Sequence, residues 1–125
     1  MNMALDTVWD AWKKRQGPAV FVAVASDGVP NAIYVTCVKN YNDRTVLITD
    51  SYFHKTPENL GREGVASLLF ITDERKSFQV KGTVSYADSG PYHAFMRECL
   101  DPKYPVAGVA ILSVEEAYSG AEQLL

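Results

Sequence analysis

The chain has 125 residues, 47% apolar and 22% charged, with a formal charge of −3. That composition lies inside the ordinary globular range, implies one domain, and excludes disordered and collagen-like classes. Area scaling lets a chain of this size bury about two-thirds of its extended surface, so neither metal nor disulfide is needed to brace the core.

The first segment spaces Leu5, Val8, Trp9 and Trp12 along one helical face, with Asp6 or Thr7 available as N-cap and Lys13, Lys14 and Arg15 suited to its C-terminal end. Gly17-Pro18 ends it. Ala19 to Ser26 is apolar and β-prone, Asp27-Gly28 suits a tight turn with positive φ, and Asn31 to Val38 completes a hairpin. Asn40 to Arg44 reads as a turn and Thr45 to Asp50 as a third strand. Thr56-Pro57-Glu58-Asn59 has the composition of a short helix start, with Thr as cap, Pro at the first helical position and an acid in the first turn.

Val65 to Thr72 resumes β character after Gly61 to Gly64, and Asp73 to Lys76 is a charged turn. Ser77 to Tyr86 alternates Phe78, Val80, Gly82 and Val84 with period two, Gly82 signalling a bulge or a close approach. Pro91 to Leu100, capped by Ser89, is a second internal helix, Val106 to Val114 a last strand, and Glu115 to Leu125 a tail. Six short strands that do not alternate with helices disfavour a parallel doubly wound sheet. They predict a mainly β chain with short helices, closed as an antiparallel barrel with Greek-key crossings.

Scattered positive charges and an acidic balance make duplex nucleic acid a poor partner. Cys37 and Cys99 form neither a CxxC motif nor a disulfide framework, and His54 and His93 are too isolated for a metal site. No apolar run approaches the roughly 20 residues that span a bilayer, and the N-terminus lacks the pattern of a signal peptide. A reducing cytoplasm is the expected location.

The most informative stretch is Thr49-Asp50-Ser51-Tyr52-Phe53-His54-Lys55-Thr56-Pro57-Glu58-Asn59. A lysine precedes a helix N-terminus whose cap carries a hydroxyl, so bare N–H groups, the helix dipole, an ammonium and an O–H converge as a phosphate monoester requires. An ordinary solvated helix start with an incidental lysine is the alternative.

The hairpin strand Pro30-Asn31-Ala32-Ile33-Tyr34-Val35-Thr36-Cys37-Val38, the run His54-Lys55-Thr56 with Asn59, and the later Phe78-Gln79-Val80-Lys81-Gly82 resemble the FMN-binding split barrels related to pyridoxamine 5′-phosphate oxidase. Within them the chain is most similar to the small one-domain FMN-binding proteins. The resemblance implies a six-stranded antiparallel Greek-key split β-barrel of residues 1–125 that holds FMN at a homodimer interface. It implies that Lys55 and Thr56 hold the phosphate, with His54 nearby, and that the isoalloxazine lies against Ile33, Tyr34, Val35 and Thr36 and against Thr49, Asp50 and Ser51. Tyr34 falls where relatives carry a flanking aromatic residue.

Cys37 could be a reactive thiol beside that ring site, although a free cysteine is more often small apolar filler. Tyr104, Trp9 and Trp12 could cover the flavin or simply pack against the barrel or a second subunit. Family oxidases grip their anionic substrate with Arg and His residues near the C-terminus. Here no Arg follows Arg97, and the last twenty residues hold neither Lys nor His, so oxidation of pyridoxamine phosphate is not expected. The expectation is a redox protein, either an electron carrier or a small flavin-dependent oxidoreductase of unidentified substrate. The alternatives are a split barrel that binds haem or a deazaflavin, and a plain interaction domain.

Overall fold

The computed structural model describes residues 3–24, 28–49, 64–103, 106 and 108–125. The order of elements is α1 (Met3–Trp12), β1 (Ala19–Val24), β2 (Pro30–Val35), β3 (Val38–Asn42), β4 (Thr45–Thr49), β5 (Gly64–Ile71), β6 (Ser77–Ala87), α2 (Pro91–Cys99), β7 (Val109–Ser119) and β8 (Glu122–Gln123). The strands form one antiparallel sheet in the order β2-β1-β5-β6-β7-β4-β3, and β8 pairs with β7.

β2 and β3 are the two ends of that path, yet only Thr36 and Cys37 separate them in the chain. Three Cα steps reach at most roughly 11 Å. The sheet must therefore curl until its edge strands approach each other, which makes it a half-barrel open along the line between β2 and β3.

Alternation along each strand sorts side chains to the two faces of this curled sheet. Phe21, Val46, Ile48, Leu68, Phe70, Phe78, Val80, Val84 and Leu112 point inward, and α1 adds Leu5, Val8, Trp9 and Trp12 to the same core. The predicted helical stripe is thus the buried one. Trp12 sets its ring edge against Phe70 with centroids 4.9 Å apart, and Trp9 Nε1 donates to the Asp43 carbonyl at 3.0 Å, strapping α1 to the β3–β4 turn. A second cluster lies on the outer face, where Leu47, Val109 and Ile111 meet Met96 of α2 and Val106. β4 is buried on both faces, which is why its sequence is a continuous apolar run rather than an alternation.

Several boundaries differ from the sequence reading, each for a local reason. Among the described residues there are eight strands rather than six. The run from Asn31 to Val38 is not one strand: it breaks at Thr36-Cys37, where the chain passes from one edge of the sheet to the other. Asn40 to Asn42 belongs to β3 with a register shift, Asn40 Nδ2 donating to the Asn42 carbonyl at 2.7 Å, and the chain reverses at Asp43-Arg44.

Glu115 to Leu125 is no tail. β7 runs through it, and its alternation is hidden because a bulge opposite Lys81 and Gly82 inserts one residue, leaving Val114 and Ala117 both buried with two glutamates between them. β7 begins at Val109, not at Val106.

Asp6 and Thr7 lie inside α1 rather than capping it, and Thr7 Oγ1 donates back to the Met3 carbonyl at 3.1 Å. α2 is capped by Gly90 in a positive-φ conformation (φ 91°) with Pro91 following, and Ser89 does not serve as its cap. The bulge expected at Gly82 is present. The helix start at Thr56 lies outside the described residues, as do Asp27 and Tyr104.

Candidate functional site

At the open seam of the sheet the corner between β2 and β3 lies beside the end of β4. Val38 pairs with Ile48, and the next pair outward is Cys37 with Thr49, whose N–H donates to the Cys37 carbonyl at 2.9 Å. Directly opposed residues of an antiparallel pair carry their side chains on the same face. Val38 and Ile48 are inward, so Thr49 projects from the outer face, alongside Leu47 and Val109.

Thr49 is 8% exposed, and its Oγ1 has no hydrogen-bond partner. Burying an unsatisfied hydroxyl costs about 1–3 kcal/mol, so such an atom calls for an explanation, of which a missing ligand is one. Cys37 next to it is half-buried, with its Sγ 3.9 Å from the Thr36 hydroxyl.

The predicted site residues distribute as follows. On β2, Ile33 and Val35 turn inward, Ile33 packing against the core opposite Phe21 and Val35 buried within it. Tyr34 turns outward and is 77% exposed, and Thr36 at the corner is also exposed. Thr36 precedes Cys37, whose carbonyl accepts from the Thr49 N–H, whereas Tyr34 stands on the outer surface of β2. Asp50, Ser51, His54, Lys55 and Thr56 lie outside the described residues.

Tyr34 belongs to a larger surface. It pairs with Val20, which pairs with Leu69, and these continue the outer face of β2, β1 and β5 with Val22, Val65 and Ile71. Val65, Leu69 and Ile71 are exposed.

Beyond it, on β6 and β7, the same face turns polar. Tyr118 Oη donates to Glu116 Oε1 at 2.5 Å, and the Lys81 ammonium lies 4.9 Å from the Tyr118 ring centroid. The hydrogen bond to Glu116 pushes the Tyr118 phenol above the ordinary tyrosine range, with burial and the carboxylate charge acting in the same direction. The sequence reading missed this cluster because the bulge at Gly82 scrambles the alternation that would have placed Glu116 and Tyr118 on one face.

His93 is half-buried, and its Nε2 is held by the Val106 carbonyl at 2.8 Å. Among the described residues no group of three or more His, Cys, Asp and Glu side chains could hold a metal. Among them, too, no helix is long and apolar enough to cross a membrane.

The sequence profile of pyridoxamine 5′-phosphate oxidase matches residues 5–111. The chain belongs to the pyridoxamine 5′-phosphate oxidase family. The match spans every element from α1 to the start of β7, so the seam, the corner and the 50–63 segment all fall within the family region.

A relative in Methanocaldococcus jannaschii, an uncharacterized protein, is 29% identical over 113 residues, covering 86% of this chain and 76% of its own. Among solved structures, Group A Streptococcus HupZ superposes with a TM-score of 0.76 at 20% identity, covering 91% of each chain. An FMN-binding protein from Syntrophomonas wolfei superposes with a TM-score of 0.68 at 16% identity, covering 93% of this chain and 85% of that one. At such identities the structural likeness establishes the fold, a curled antiparallel half-barrel with short helices.

Proposed function

We propose that this chain is an FMN-binding redox protein, an electron carrier or a small flavin-dependent oxidoreductase, that holds FMN between two copies of itself. The carrying observation is the buried Thr49 hydroxyl without a partner at the open seam. It is a polar atom on a family fold, at a strand end that the sequence resemblance assigns to the flavin ring, and the polar edge of an isoalloxazine would satisfy it. Among the described residues, Thr49 thus supports the cofactor reading.

In this reading Thr49, with Asp50 and Ser51, hydrogen-bonds the pyrimidine edge, and the backbone from Ile33 to Thr36 lies along the ring with Tyr34 flanking it. Lys55 and Thr56 hold the phosphate through one charge-assisted contact and one hydroxyl, with His54 beside them. Bound FMN supplies one- and two-electron transfer, while the protein controls access and polarity around it. The apolar strip of Tyr34, Val20 and Leu69 supports a homodimer, because pairing two copies across it would remove exposed apolar area and close the ring site. A cytoplasmic location fits a chain that keeps two free cysteines.

The test is the visible absorption spectrum of the purified chain, with FMN added where it is colourless. Flavin bands and saturable quenching of FMN fluorescence are expected. Lys55→Ala should weaken binding by about 1.5–3 kcal/mol. A chain that ignores added FMN overturns the proposal. A Soret band in its place would favour the haem alternative.

A further inference from the structure

We draw no further inference here: the strongest candidate, the exposed apolar face of β2, β1 and β5 that carries Tyr34, Val65, Leu69 and Ile71, already belongs to the homodimer proposed above, and nothing in the structure shows what else covers it.

Discussion

The carbonyl of Ser113 occupies the space that any side chain at position 82 would need: an ideal Cβ on Gly82 would sit 1.7 Å from its oxygen and 2.8 Å from its carbon. The approach follows from the bulge, which shifts the β6–β7 register between Lys81 and Gly82 and draws the two backbones together. Gly82→Ala should therefore destabilise the chain by about 2–3 kcal/mol or more, since one strand must move off the other. Chemical denaturation checks this, and a change below about 1 kcal/mol would show that the bulge yields easily.

Thr49 gives a prediction in which stability and binding move in opposite directions. Thr49→Val keeps the shape and removes the unsatisfied hydroxyl, so the FMN-free chain should gain about 1 kcal/mol. The same change should weaken FMN binding, because the ring edge loses a partner. Thermal melts and fluorescence titration measure the two effects separately. A loss of stability in the free chain would mean that the hydroxyl already has a partner.

Leu69 lies in the exposed apolar strip, opposite Val20 on β1, which in turn opposes Tyr34. Leu69→Arg places a charge where two copies are proposed to meet, and should shift the species seen by light scattering from dimer to monomer. The substituted side chain points away from the core, so the fold should survive with a stability change within about 0.5 kcal/mol apart from that lost with the dimer. An unchanged dimer mass would place the contact elsewhere.

Tyr118 carries the one pH-dependent expectation. Glu116 accepts the phenolic hydrogen, so the neutral phenol is favoured in the folded chain and its ionisation moves up from the ordinary value of about 10. A raised value means that this hydrogen bond contributes below the ordinary tyrosine range and is lost as pH rises through the raised value. Glu116→Ala should therefore remove a late-ionising component from the ultraviolet phenolate titration. A titration curve that this substitution leaves unchanged would exclude the contact.

Local composition alone determined the apolar stripe of α1, the turn at Gly28, the alternation of β6, the special status of Gly82 and the β-rich architecture. Each depends on residues within one element, where period and turn chemistry act directly. Residue order alone also carried the family resemblance. The tertiary structure decided what depends on contacts between distant segments: that Thr36-Cys37 is a corner between the two sheet edges, that Glu115 to Ser119 is a strand behind a bulge, and that the Thr49 N–H meets the Cys37 carbonyl. A bulge changes the phase of a strand according to its partner, and the burial of one hydroxyl depends on what packs over it, so neither property is written in the order of neighbouring residues.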